Sequence, residues 1–167
     1  MVVVPVNRGS VTMTAVHPRR GGDNAESAVL KELPQLRYVD DTEAEHYDAE
    51  LVEPLSADAV RMVGACLLET GTKVEIKSAI VVLATGKKGR FYLRRPQHQR
   101  LVDEDAWYLF TVCEPRPARR VLAMKFVPAT DVDELVPSWR NGGSGRAKYA
   151  QVAWSCVFDS ERLEVSR

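Results

Sequence analysis

The residues of this chain with the most chemical content are Glu75 and Lys77, separated by Ile76. In a strand alternate side chains share a face, so a carboxylate and an ammonium at this spacing stand together on a rigid support while Val74 and Ile76 turn into the core. The carboxylate can take up a proton or a hard cation, and the ammonium brings three donors to a developing negative charge. The bare triplet says little, because seven lysines and 23 acids in 167 residues give about one acid-x-Lys spacing by chance. Exposed, such a pair is a solvated salt bridge worth ~0 to 1 kcal/mol. Its meaning depends on the elements around it.

Those elements follow from apolar spacing and turn residues. Asp23 or Asn24 can cap a helix through AESAVLKEL that Pro34 stops, and Thr42 can cap a second through EAEHYDAELV, ended by Pro54. AVRMVGACLL and KVEIKSAIVVL, joined by ETGT, have the texture of a hairpin, although the first run could begin as a helix. ATGKKG is a turn, GRFYLR a third strand, and Pro96 opens a helix PQHQRLVDED. WYLFTVCE and VLAMKFVP form a further strand pair about PRPA, DVDELVPSW is a short helix and NGGSG a loop. AQVAWSCVF closes the chain as an apolar element of either type. Pro5, Gly9, Pro18, Gly21 and Gly22 make residues 1–22 a flexible arm, leaving residues 23–167 as one domain.

Composition narrows the function classes. Lys+Arg and Asp+Glu are both 23, which excludes a polycation of the histone type, and 45% apolar residues supply a core without metal or disulfide staples. Cys66, Cys113 and Cys156 are widely spaced in apolar stretches, as reduced core thiols are, and Trp107, Trp139 and Trp154 belong to the core by the same criterion. No window is long and apolar enough to span a membrane, and MVVVPV lacks the basic flank of a secretion signal, so a soluble cytoplasmic protein is expected. His17, His46 and His98 have no ligand spacing, His98 has no Ser or Cys partner, and no phosphate-binding glycine loop occurs. Charge is nevertheless uneven. From Lys73 to Arg100 eight bases face the single acid Glu75. Lys87, Lys88, Arg90, Arg94, Arg95 and Arg100 could contact a phosphate backbone, and because Phe91 and Tyr92 alternate faces, one can be core and the other a stacking platform.

The acid-x-Lys strand, set after a helix and before strand, helix and strand, resembles the αβββαβ core of the PD-(D/E)xK nuclease superfamily, in particular archaeal Holliday-junction resolvases and restriction-endonuclease-like proteins. The V-E-I-K-S text and the following Gln-bearing helix carry the likeness, over residues 43 to 127. It implies an α/β (mixed α+β) fold with a mixed sheet flanked by helices, and a metal-dependent endonuclease that hydrolyses DNA phosphodiester bonds with Mg²⁺ or Mn²⁺. Glu75 would be a metal ligand with the Ile76 carbonyl as a second, Lys77 would orient the water or stabilise charge, and Gln97 would touch water or phosphate. Asp58, 17 positions before Glu75, would be the other catalytic acid and metal ligand, although Ser56-Ala57-Asp58 can equally be a helix cap and no Pro-Asp pair is present. Glu53 is a substitute, and the family's helix acid would fall on Glu45, Glu50 or Glu26. DNA is the implied partner, in a homodimer where two strands are cut. The alternative is a nuclease fold without its metal site that binds nucleic acid or protein.

Overall fold

The computed structural model describes residues 25–55 and 67–163. The N-terminal arm, Asp58, Cys66 and most of AVRMVGACLL lie outside these residues.

Helix α1 spans Ala25–Glu32 and is followed by two short strands, β1 (Leu36–Tyr38) and β2 (Ala49–Leu51). Next come β3 (Lys73–Ile80), β4 (Arg90–Arg94), α2 (Arg95–Asp103), β5 (Trp107–Cys113), β6 (Val121–Pro128), α3 (Ala129–Leu135) and β7 (Tyr149–Ala153). The main sheet runs β1-β2-β3-β5-β6, with β3 and β5 parallel and the other pairs antiparallel. This mixed α/β sheet flanked by helices agrees with a restriction-endonuclease-like fold. No helix among the described residues is long and apolar enough to cross a membrane.

Both faces of the sheet are covered, which decides the environment of Glu75. On one face Val29 and Leu33 pack with Leu51, Val74, Ile76, Leu109 and Phe126. On the other, Tyr108, Phe110 and Val112 meet Phe91 and Leu93 of β4, Leu101 of α2, Val132 of α3 and Trp154. Parallel strands acquire cover of this kind because their crossovers return over the sheet. The side of β3 that carries Glu75 and Lys77 is therefore not a solvated face, and Glu75 is only 3% exposed.

Strand β4 leaves the main sheet and pairs with β7 in a two-stranded ribbon. The crossing of β3 and β4 is held where Gly89 N–H donates to the Ile80 carbonyl at 3.1 Å. A Cβ at Gly89 would sit 2.0 Å from that oxygen. Gly89→Ala is accordingly expected to cost about 3 kcal/mol in denaturant unfolding, at the upper end for overpacking. Beyond the ribbon, a 3₁₀ turn at Trp154–Cys156 places the Trp154 Nε1–H on the Val81 carbonyl at 2.8 Å.

Three sequence expectations need correction. The second helix is absent. Asp40 Oδ1 accepts from Thr42 N (2.8 Å) and Glu43 N (3.2 Å), a local turn that displaces the helix, and Ala49 and Leu51 then bury themselves as β2. The antiparallel neighbour of β3 among the described residues is β2, whereas Leu68, from the expected hairpin partner, makes an isolated bridge with Leu55. Cys156 is exposed at the end of its 3₁₀ turn while Cys113 is buried, so the chain's last thiol does not belong to the core.

Candidate active site

Strand pairing assembles the site. Extending the β2–β3 register by one step beyond Ala49 and Val74 sets Asp48 opposite Glu75. Asp48 N donates to the Val74 carbonyl at 3.0 Å, and Ile76 N donates to Asp48 Oδ2 at 3.0 Å, so both its backbone and its carboxylate are fixed to β3. On the other side, β5 places Tyr108 beside Glu75 and Phe110 beside Lys77.

Helix α2 closes the site from above. Its start follows β4 without a loop, with Pro96 in the first turn, which delivers Gln97 to β3. Gln97 Nε2 donates to Glu75 Oε1 at 2.8 Å and to the His46 carbonyl at 3.2 Å. Lys77 Nζ donates to the same Glu75 oxygen at 2.5 Å and lies 3.3 Å from Gln97 Oε1. Glu75 Oε1 is thus held by two donors. Glu75 Oε2 is buried and has none.

This imbalance shows in the acidity of Glu75. Burial, chiefly, pushes its pKa up to about 8 against the pull of Lys77, and Asp48 adds charge repulsion and an acceptor for its proton. The carboxyl consequently holds its proton to a higher pH than an ordinary carboxylate does. Beneath it, the Tyr108 hydroxyl lies 3.1 Å from His98 Nδ1, and burial and the Glu75 charge hold that phenol far from ionisation. His98 is buried between Tyr108 and Trp139, with Nε2 3.2 Å from Asp133, as part of the support under α2.

The loop before β2 is tied to the far end of α2. Glu104 Oε2 lies 2.6 Å from Lys73 Nζ and 2.9 Å from His46 Nε2, contacts that hold the Glu104 carboxyl down at about 2. They anchor the segment whose carbonyl fixes Gln97. An open groove of about 410 Å³ beside it is lined by Thr42, Glu45, His46, Lys73, Arg100 and Glu104, among others.

Of the residues singled out from sequence, Glu75, Lys77 and Gln97 come together. The acid facing them is Asp48, which falls inside the stretch expected as the second helix. The only local trace of its strand is the alternation Ala49-Glu50-Leu51-Val52, buried at the first and third positions and too short to outweigh the helical composition around it. Glu50 pairs with Arg37 at 3.4 Å, Glu45 and Glu53 are exposed, and no group of three or more His, Cys, Asp or Glu side chains arranged for a metal occurs among the described residues. Lys87, Lys88, Arg90, Arg94, Arg95 and Arg100 are all exposed, distributed over the turn before β4, the outer side of β4 and α2.

A family model described as a PD-(D/E)XK nuclease superfamily domain matches residues 13–159. The chain belongs to this superfamily. No curated protein and no solved structure matches it. Family members typically use divalent metals, and the donor set here suits one. Two carboxylates, one with a buried oxygen lacking any donor, leave the remaining positions of a hard cation to water and substrate phosphate, the usual way Mg²⁺ is held. Nuclease-like function follows from the family in general terms.

Proposed function

We propose that this chain is a metal-dependent DNA endonuclease that hydrolyses phosphodiester bonds in branched or duplex DNA, with Asp48, Glu75, Lys77 and Gln97 as its site. The observation that carries the reading is the buried Glu75 carboxyl, with Oε1 held by Lys77 and Gln97 and Oε2 without a donor beside Asp48. Asp48, Glu75 and the Ile76 carbonyl would hold Mg²⁺ or Mn²⁺. Bound there, the ion neutralises phosphate charge and lowers the pKa of an attacking water.

The chain's own groups divide the remaining work. Lys77, 20% exposed at its side chain, keeps Nζ at the edge of the buried acid, where it can orient that water or meet the developing negative charge. Gln97 fixes the Glu75 rotamer and ties it to the His46 carbonyl, so the carboxylate is aimed before substrate arrives. Asp58, outside the described residues, remains a proposed further acid from its spacing.

The test is cleavage of branched and duplex DNA with Mg²⁺ or Mn²⁺. Lys77→Ala is expected to reduce the rate by at least ~10²-fold, the usual effect of losing one donor to transition-state charge. An unchanged rate overturns the reading. Metal binding should also track the proton on Glu75. Because that proton must leave, the apparent Mn²⁺ affinity measured by thermal shift is expected to rise by about tenfold per pH unit from 6 to 8 and to level off above 8. A fold that has lost its metal site and only binds nucleic acid or protein would show no shift with Mn²⁺ at any pH.

A further inference from the structure

The ribbon β4–β7 has an outer face that nothing in the catalytic site uses. Phe91 and Leu93 point inward and are fully buried, so Arg90, Tyr92 and Arg94 point outward, and the antiparallel register sets Tyr149 opposite Arg94 and Gln151 opposite Tyr92. Tyr92, 47% exposed, stacks on Tyr149 with ring centroids 5.1 Å apart and planes 19° from parallel.

The charge along the segments that build this face is of one sign. No acid occurs from Ile76 to Val102 or from Arg140 to Ala153, the two stretches that build the ribbon and its approaches. Arg90, Arg94, Arg95, Arg146 and Lys148 are exposed, and none has an ion-pair partner among the described residues. Arg146 and Lys148 lie in the segment that leads into β7, and the Lys148 carbonyl accepts from Arg95 N at 2.9 Å, which brings this later exposed segment to the end of β4. Arg94 precedes Gln97 by three residues, so the face ends within one helical turn of the proposed catalytic group.

We propose that this face is a stacking site for unpaired nucleotides of a DNA strand, with Tyr92 and Tyr149 as base platforms and Arg90 and Arg94 on the flanking phosphates. Aromatic faces interleaved with unpaired cations are what single strands require, because every base has a π-face and every linkage a charge. The ligand class rests on the nuclease reading above. The inference adds to it that the substrate carries a single-stranded segment, such as an overhang or a branch arm, lying across the ribbon toward α2.

Binding without metal tests this independently of cleavage. Fluorescence anisotropy in EDTA would compare a 15-nucleotide dT strand, an abasic strand of the same length and charge, and a blunt 15-base-pair duplex. Tyr92→Ala and Tyr149→Ala are each expected to weaken dT binding by about tenfold, the loss of one stacked base, and to leave the abasic strand within about twofold of wild type. Tyr92→Phe, which keeps the ring and the fold, should retain dT binding. Cleavage and strand binding are read in separate assays, one with metal and one in EDTA, so loss of cleavage in Lys77→Ala and loss of the platform in Tyr92→Ala are separable. Equal affinity of the wild-type protein for dT and abasic strands, or equal losses on both in Tyr92→Ala, would overturn the proposal and leave a surface that attracts polyanions or acidic protein segments by charge alone.

Discussion

Glu75→Gln is expected to abolish metal-dependent cleavage while making the metal-free protein more stable above pH 8. In the folded chain burial holds the Glu75 carboxyl near 8, whereas the unfolded value is 4.5. Below about 4.5 both states carry the proton and the group contributes nothing to the pH dependence. Between 4.5 and 8 the unfolded chain releases the proton and the folded chain keeps it, so stability falls as pH rises; above 8 the full cost of a buried charge is present. The separation corresponds to an upper bound on the order of 5 kcal/mol, at about 1.4 kcal/mol per pH unit. An amide of the same shape removes that cost. Its oxygen still accepts from Lys77 and Gln97, and its NH₂ can donate to Asp48, which Glu75 Oε2 without its proton cannot do. Against this, Lys77 loses a counter-charge. A net gain of about 2 kcal/mol, a rise in Tm of roughly 4 to 8 °C for a chain of this size, should appear at pH 8.5 in EDTA and shrink toward zero at pH 5. E75Q should also lose the Mn²⁺-induced thermal shift. Equal Tm values across the whole pH range would show that Glu75 carries no buried-charge cost.

The part of the site that could be read in the sequence is the part whose local pattern agrees with its tertiary setting. KVEIKSAI, RFYLR and WYLFTVC are apolar or alternating runs between clear turns, and each is a strand; Pro96 starts the helix that brings Gln97 to Glu75. Asp48 was hidden for the opposite reason. EAEHYDAELV has helical composition, and β1 and β2 are only three residues long, too short to show their period against that background. They form because Leu36, Ala49 and Leu51 gain burial against β3, a long-range reward that no local window contains. Burial of Glu75 was equally out of reach. Period-two spacing shows which residues share a face, but whether that face is wet depends on the return of β4, α2 and α3 over it. The basic segment behaved similarly. Its exposure could be read from the sequence, while Lys88, whose Nζ lies 5.0 Å over the Trp154 ring, and Lys148, whose carbonyl accepts from Arg95 N at 2.9 Å, acquire these neighbours only through tertiary contact.

Replacing Asp48 separates a catalytic acid from a structural one. Its carboxylate has two jobs in the structure, accepting the Ile76 N–H at 3.0 Å and standing beside Glu75. Asp48→Asn keeps an oxygen for the first job and removes the charge needed for the second. It is expected to fold with a Tm within a few degrees of wild type and to lose cleavage by about 10³-fold, as removal of a ligand from the proposed metal site should do. Asp48→Ala leaves the Ile76 N–H without its acceptor and should cost a further ~1 to 2 kcal/mol. Removing the charge also lowers the Glu75 pKa, since repulsion from Asp48 is one of the causes that raise it. The residual Mn²⁺ response of Asp48→Asn should therefore level off at a lower pH than in wild type, even as its maximum affinity falls. A structural role alone would leave the maximum Mn²⁺ affinity in place, and wild-type cleavage by Asp48→Asn would exclude Asp48 from the site and return the search for the second acid to Asp58.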